Sequence, residues 1–134
     1  MAKILVIEDE NSIREDILEI LNADGYKALG AENGDVGVRM AQEYLPDLIL
    51  CDLMMPSISG LEVLKKIRSE PALANTCFAI LSANTSKETI AQCLDCGANY
   101  YLTKPIGLQE LLDAIETALA GCRKLDGFCN TANG

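Results

Sequence analysis

Short, mostly apolar runs alternate along the chain with longer stretches in which apolar residues recur at helical spacing. The runs are centred on residues 4–7, 26–31, 48–52, 78–82 and 100–102. A strand buried on both faces is apolar throughout, whereas a surface helix is apolar on one side only, so the runs predict strands and the stretches predict helices. Five such alternations predict βαβ units and a parallel sheet with helices on both faces.

The helical stretches carry start and stop signals as well as apolar faces. They cover about 11–24, 34–43, 61–68, 86–96 and 108–120. Asn11 or Ser12 can cap the first helix, and Gly25 can end it in a left-handed conformation. The residues predicted to face inward are Ile13, Ile17, Ile20, Leu21, Val38, Ala41, Leu61, Leu64, Ile67, Ile90, Cys93, Leu94, Leu111, Leu112, Ile115 and Leu119.

Length and composition fit a single domain. The 134 residues, 49% of them hydrophobic, suffice for one core and leave no length for a second. We place the domain at 3–120 and expect 121–134 to be a short tail, because helical periodicity is lost after Gly121. No apolar stretch approaches the roughly 20 residues that cross a bilayer, and no signal-peptide core is present, so we expect a cytoplasmic protein without membrane contact.

Charge and residue types exclude several functions. The net charge of −9 at pH 7 opposes binding to phosphate backbones, so we expect no direct nucleic-acid contact. The chain has no histidine, which excludes Ser/His and Cys/His dyads and imidazole metal ligands. Phosphoryl transfer from histidine would therefore need a partner protein.

The six cysteines are expected to be reduced, because the predicted core needs no disulfide and two cysteines lie within strand runs. Cys93 and Cys96 share a helix, where one of them faces inward as free cysteines ordinarily do. The alternative is a zinc or disulfide site in which Cys96 and Cys122 approach each other with Cys129 nearby.

Charged and hydroxyl residues follow four of the predicted strands. Glu8 and Asp9 follow the first, Asp52 ends the third, Ser82 ends the fourth and Lys104 follows the fifth. Because the carboxyl ends of parallel strands meet at one edge, we expect these side chains to lie together. Clustered carboxylates need a cation, and all-oxygen ligands suit Mg²⁺, with Mn²⁺ as a substitute.

Asp52 is the candidate nucleophile, because carboxylates form covalent phosphoryl intermediates. Lys104 would add a fixed positive charge, and Ser82 a hydroxyl donor, to the phosphoryl oxygens. Positioning and charge neutralisation supply most of phosphoryl-transfer catalysis, so these few residues suffice.

Over about residues 3–120, these features resemble the receiver domains of two-component response regulators. The matching motifs are Glu8-Asp9, Asp52-Leu53-Met54-Met55-Pro56 with Gly60, Ser82-Ala83, and Gly97-Ala98-Asn99-Tyr100-Tyr101-Leu102-Thr103-Lys104-Pro105. The resemblance implies an α/β, doubly wound, flavodoxin-like (βα)5 fold with a parallel sheet of order 2-1-3-4-5.

The resemblance also implies a reaction. Asp52 would take a phosphoryl group from a histidine kinase or a histidine phosphotransfer protein, and Lys104 and Ser82 would hold that group. Mg²⁺ would be held by Glu8, Asp9, Asp52 and the backbone carbonyl of Met54. The chain would catalyse its own phosphorylation and dephosphorylation, with no separate substrate turned over.

The same resemblance implies a conformational switch and residues that set the lifetime of the phosphoryl group. Tyr101 would move inward as the Ser82 hydroxyl is drawn to the phosphate, which remodels the surface of helix four, strand five and helix five for an unknown downstream protein. Met54 and Asn84 would tune the lifetime of the phosphate. A cis Lys104–Pro105 bond is also implied.

One departure separates the chain from winged-helix DNA-binding regulators. These usually have two acids before the strand-five aromatic and an Ala-Arg pair in helix five, whereas this chain has Asn99-Tyr100 and Asp113-Ala114. We therefore expect a stand-alone receiver, or part of a differently built protein, without their ion-paired dimer.

Two alternatives remain open at the level of sequence. A pseudo-receiver would bind partners without phosphorylation. A flavodoxin-like FMN carrier would need a Ser/Thr/Gly-rich loop after the first strand, with amide donors for the phosphate. The loop at 8–11 is acidic instead.

Overall fold

Five strands and five helices alternate in the computed structural model, which describes residues 2–125 and their side chains through residue 122. The strands are β1 Lys3–Ile7, β2 Lys27–Ala31, β3 Leu48–Asp52, β4 Cys77–Ser82 and β5 Tyr100–Thr103. The helices are α1 Asn11–Ala23, α2 Gly34–Tyr44, α3 Gly60–Ser69, α4 Lys87–Asp95 and α5 Leu108–Leu125. The predicted alternation is confirmed.

The strands form one parallel sheet in the order β2-β1-β3-β4-β5, which confirms the predicted doubly wound fold. One layer packs α2, α3 and α4 against the sheet, and the other packs α1 and α5 against its opposite face. The central strands β1, β3 and β4 are buried on both faces, which is why they are apolar almost throughout. The carboxyl ends of β1 and β3 lie side by side, where the strand order reverses.

Helix α1 ends as predicted but begins differently. Gly25 has a φ of 96°, in the left-handed region where glycine commonly ends a helix. The residue before α1 is Glu10, and its side chain makes no capping hydrogen bond. The prediction that Asn11 or Ser12 caps α1 is therefore wrong. Both residues lie inside the helix, and the Asn11 side-chain oxygen accepts a hydrogen bond from Arg14.

Most of the predicted inward positions are buried or partly buried. Those that are fully buried are Ile17, Leu21, Ala41, Leu64, Ile67, Cys93, Leu111, Ile115 and Leu119. Leu94 is the exception, because 45% of its surface is exposed. Among the α4 residues only Cys93 is buried, and successive helical residues point in different directions, so Leu94 turns away from this narrow contact.

Helix α5 continues beyond its predicted end at Ala120 to Leu125, so the first part of the expected 121–134 tail is helical. A Cβ atom at Gly121 would lie 2.5 Å from the Tyr100 hydroxyl oxygen, so this glycine admits a neighbouring strand residue and does not stop the helix. Residues 126–134 lie outside the described residues. Over 2–125, no helix is both long and apolar enough to cross a bilayer.

The cysteines depart from expectation. Cys77 and Cys122 form a disulfide across a sequence separation of 45 residues, so the prediction that all cysteines are reduced is wrong. The predicted approach of Cys96 to Cys122 is also wrong, because Cys96 packs in the layer of α4 and Cys122 in the layer of α5, with the sheet between them. Cys129 lies outside the described residues.

Candidate functional site

Three carboxylates meet at the carboxyl edge of the sheet. β1 pairs with β3, with Ile7 opposite Cys51, so the residues that follow Ile7 reach the end of β3. One oxygen each from Glu8, Asp9 and Asp52 lies within 4.8 Å of the others, and the group could hold a metal ion. Glu8 and Asp52 are only 2% and 7% exposed, so solvent screens their mutual repulsion weakly.

Lys104 follows β5, the strand at one edge of the sheet, and its side chain reaches this cluster. Its Nζ lies 3.1 Å from Asp52 Oδ1 and 3.2 Å from Glu8 Oε1, an ion pair with both buried carboxylates. Its backbone N–H donates to the Ser82 carbonyl at 2.8 Å, which fixes the base of the side chain beside β4. The Lys104–Pro105 peptide bond is cis, as the resemblance implies.

Burial makes the Glu8 and Asp52 carboxylates costly to ionise, and the single charge of Lys104 only partly offsets that cost. Burial raises the pKa of Asp52, and Asp9 adds to this, although Lys104 opposes both. Burial, together with the charge of Asp52, likewise raises the pKa of Glu8. Burial alone would lower the pKa of Lys104, yet the contacts with Asp52 and Glu8 raise it. A divalent cation would supply the missing charge, and the donor set is the all-oxygen type that Mg²⁺ binds.

Ser82 ends the neighbouring strand, is almost completely buried, and is connected to Tyr101 through Asn84. The Ser82 Oγ accepts a hydrogen bond from the Asn84 backbone N–H at 3.1 Å. The Tyr101 hydroxyl donates to the Asn84 carbonyl at 2.6 Å. One residue of the loop between β4 and α4 therefore contacts both predicted switch residues.

The loop between β3 and α3 folds tightly against the end of β3. A Cβ atom at Gly60 would lie 2.4 Å from the Asp52 carbonyl oxygen, so only glycine fits without a shift. The Gly60 N–H also donates to the Leu53 carbonyl at 2.8 Å. Met54, two residues after Asp52 in this loop, is 70% exposed.

Arg14 was missed by sequence reasoning, although it contacts the loop that carries two of the carboxylates. Its Nη1 donates to the Glu8 carbonyl at 2.8 Å. The available signal was positional, since long side chains on a helix lean toward its amino end and an arginine in the first turn of α1 can reach back to the preceding loop.

Comparison with known proteins identifies the chain's relatives. The model of the response regulator receiver domain matches residues 4–116. The transcriptional regulatory protein PdtaR of Mycobacterium tuberculosis is 32% identical over 124 residues, which cover 92% of this chain and 59% of PdtaR. The phosphate regulon regulator PhoB of Escherichia coli is 35% identical over 117 residues, which cover 87% of this chain and 51% of PhoB. The chain thus spans little more than half the length of these relatives.

Solved structures agree with this assignment. The chemotaxis protein CheY4 of Vibrio cholerae superposes with a TM-score of 0.85 at 30% identity, covering 88% of this chain and 98% of CheY4. A response regulator receiver domain from Clostridium thermocellum superposes with a TM-score of 0.85 at 31% identity, covering 93% of this chain and 99% of that domain.

Proposed function

This chain belongs to the response regulator receiver domain family, and from that premise we propose that Asp52 accepts a phosphoryl group from a histidine kinase or a histidine phosphotransfer protein. The observation that carries the proposal is the buried Asp52 carboxylate, held 3.1 Å from the Lys104 ammonium inside a cluster of three acids. The donor imidazole must lie outside these 134 residues, because they contain no histidine.

The acidic cluster fits a divalent cation, for which Mg²⁺ is the natural occupant and Mn²⁺ a substitute. The carboxylates of Glu8, Asp9 and Asp52 and the backbone carbonyl of Met54 would hold it. When bound, the cation would neutralise charge on the carboxylates and on the phosphoryl oxygens. Glu8 and Asp52 favour such binding because ionising them without a cation is costly in this buried position.

The side chains of the site then have distinct tasks. An oxygen of Asp52 forms a bond to phosphorus while the phosphorus–nitrogen bond of the donor breaks; the electron pair of that bond returns to the imidazole, which takes up a proton from solvent. Lys104 exchanges its contact with the Asp52 oxygen for one with the incoming phosphoryl oxygens. Water reverses the modification by attacking phosphorus, which regenerates the Asp52 carboxylate.

The effect of phosphorylation would reach the surface of α4, β5 and α5 through Ser82, Asn84 and Tyr101. The Ser82 hydroxyl now accepts a hydrogen bond from the Asn84 N–H, and its own proton can be donated to a phosphoryl oxygen. A shift of Ser82 toward the phosphate would pull on the loop whose carbonyl holds the Tyr101 hydroxyl. The surface formed by α4, β5 and α5 would thereby favour a second arrangement, which a downstream protein can select.

Intact-mass spectrometry after incubation with acetyl phosphate tests the proposal. We expect one phosphoryl adduct in the presence of Mg²⁺, none with EDTA, and none in an Asp52→Asn variant. No adduct under conditions that label another receiver domain would instead support a pseudo-receiver that binds partners unmodified. The FMN-carrier alternative has no support from the family assignment. Stand-alone action and a cytoplasmic location remain predictions.

A further inference from the structure

We propose that Arg14 is a positioning residue that holds the loop between β1 and α1 in the conformation that metal binding requires. This inference rests on the proposed metal site and adds a residue to it. Arg14 lies in the first turn of α1, outside the acidic cluster, and would touch neither the cation nor the phosphoryl group.

The two ends of the loop are joined through the Arg14 guanidinium. Nη1 donates to the Glu8 carbonyl at 2.8 Å, at the start of the loop. Nη2 donates to the Asn11 side-chain oxygen, at its end. The planar guanidinium carries its donors in a fixed fork, so the contact with the Asn11 side chain orients the group that holds the Glu8 backbone carbonyl. The segment held in this way carries Glu8 and Asp9, two of the three carboxylates.

The neighbouring strand leaves space for this arginine. A Cβ atom at Gly30, on β2, would lie 2.8 Å from Leu18 Cδ1 and 3.1 Å from Arg14 Cδ. Gly30 is not among the glycines with positive φ in the described chain, so its backbone conformation does not require glycine. The absent side chain instead provides room for the aliphatic part of Arg14 to lie against the sheet.

The positioning role and a purely electrostatic role predict opposite changes in Mg²⁺ affinity when Arg14 is removed. Arg14 is a positive charge on the helix that follows the acidic loop, so its removal should by charge alone make Mg²⁺ bind more tightly. Loss of positioning should make Mg²⁺ bind more weakly, because the Glu8 carbonyl would be free to turn toward water and the loop would sample other conformations.

Calorimetric titration with Mg²⁺ tests the inference on wild type, Arg14→Ala and Arg14→Lys. Substituting residues that orient metal ligands typically weakens binding by roughly 10- to 100-fold, and we expect Arg14→Ala at the lower end of that range. Arg14→Lys should be intermediate, because one ammonium can hold the Glu8 carbonyl without also spanning to Asn11. Arg39→Ala is the matched control, since Arg39 is an exposed arginine on α2, and its Mg²⁺ affinity should be unchanged or slightly tighter.

A second variant approaches Arg14 from the sheet. Gly30→Ala pushes against the Arg14 stem without altering any charge, and it should also weaken Mg²⁺ binding. In an Arg14→Ala background the same alanine should cause a smaller further loss of Mg²⁺ affinity, because its contact with the Arg14 stem is gone and only its contact with Leu18 remains. Phosphorylation of Arg14→Ala by acetyl phosphate should return close to the wild-type rate at saturating Mg²⁺, since Arg14 touches no reacting atom.

The outcomes separate the two levels of the proposal. If wild type binds Mg²⁺ and the Arg14→Ala variant binds it equally tightly or more tightly, the positioning role alone is overturned. Equal weakening in Arg39→Ala would overturn it as well, because the effect would then not be local. Absence of Mg²⁺ binding by wild type would overturn the metal site and this inference together. Thermal unfolding in EDTA shows whether Arg14→Ala still folds. If it does not, the Mg²⁺ affinities of Arg14→Lys and Gly30→Ala decide the outcome instead.

Discussion

Burial makes the negative charge of the Asp52 carboxylate costly in the folded protein. Its pKa is raised by burial even though Lys104 lies in direct contact, so the ionised carboxylate is on balance disfavoured in the folded protein without metal. The same environment that makes Asp52 costly to ionise makes a cation a favourable addition at this position, because a cation offsets the buried negative charge.

Replacing Asp52 with Asn should therefore stabilise the metal-free protein at neutral pH, because the amide carries no charge that burial makes costly. A carboxyl with a raised folded pKa binds protons more readily in the folded state, so wild type gains stability as the pH falls through that raised value toward the ordinary pKa of an aspartate. The advantage of the variant should shrink in the same window. Urea unfolding in EDTA across this pH range measures the difference.

The matched control is Asp16→Asn on the exposed surface of α1, which removes the same charge away from the cluster and should change stability much less. Asp52→Asn less stable than wild type at neutral pH would mean that the Lys104 contact outweighs burial, contrary to the direction of the pKa.

Met54 should slow the loss of phosphate, because its exposed thioether side chain has no strong hydrogen-bonding group with which to orient an attacking water. Met54→Asn should shorten the lifetime of phosphorylated Asp52 on the order of tenfold, and Met54→Leu should leave it nearly unchanged. Decay of the phosphoryl adduct, followed by intact mass after removal of the donor, measures both. Equal decay in the Asn variant and wild type would sink the idea.

Individual site residues could be predicted where they end a strand, because topology alone brings Glu8, Asp52 and Ser82 to one edge. Arg14 could not be predicted with confidence from the pattern, since it acts through a backbone carbonyl whose orientation appears only in the folded loop.

At the scale of elements, the partly buried Arg68 connects the end of α3, the start of β4 and the end of α4. The Arg68 guanidinium donates to the carbonyls of Thr76 at 2.7 Å and Gly97 at 2.8 Å, and to the Asn99 side-chain oxygen at 2.9 Å. Asn99 also accepts from the Phe78 N–H at 2.8 Å. Burial lowers the Arg68 pKa, so these neutral acceptors take the place of solvent around the charge.

Arg68→Met should cost about 3 kcal/mol of stability, because several partly buried carbonyls would lose their donor while the apolar stem is kept. Urea unfolding measures the change, with Arg39→Met as the exposed control. Acetyl phosphate labelling should persist at temperatures where the variant remains folded, since Arg68 lies at the opposite end of the sheet from Asp52. A loss below 0.5 kcal/mol would contradict the role.

The disulfide between Cys77 and Cys122 fixes the last turns of α5 to the start of β4. Closing a loop of 45 residues should stabilise the fold by about 2–4 kcal/mol. Reduction, or a Cys122→Ser variant, should lower the free energy of unfolding by that amount, whereas Cys96→Ser should change it little. The mass of two hydrogen atoms gained on reduction checks the bond directly, and no mass change would show that it does not form.

The elements themselves follow from apolar periodicity, but their ends and contacts do not. Leu94 fits a helical stripe yet is exposed, because α4 buries a single position. Helix α5 continues past Gly121, where the missing side chain leaves room for the Tyr100 hydroxyl, a contact between elements that no local signal encodes. The cysteine pairing depends on which side of the sheet each helix covers, so it required the three-dimensional topology.

At the scale of the whole molecule, the two ends of the sheet carry different sets of residues. The carboxyl edge gathers the acids and Lys104, whereas the opposite edge is fastened by Arg68 and the disulfide. This arrangement separates the candidate phosphorylation site from the contacts that join the other ends of the strands. The alternation of five strands and five helices was sufficient to predict the sheet's parallel architecture, and the motif resemblance supplied its strand order.

The most direct measurement is to locate the modification within the sequence. The protein would be labelled with phosphoramidate, a nitrogen–phosphorus donor like phosphohistidine, in Mg²⁺, then reduced with borohydride, which converts an aspartyl phosphate to homoserine. Fragmentation mass spectrometry of the peptides should find homoserine at position 52 and unmodified Asp9 and Asp47. Modification at another carboxylate, or none at position 52 in a protein that has gained a phosphoryl group, would contradict the proposal that Asp52 is the acceptor.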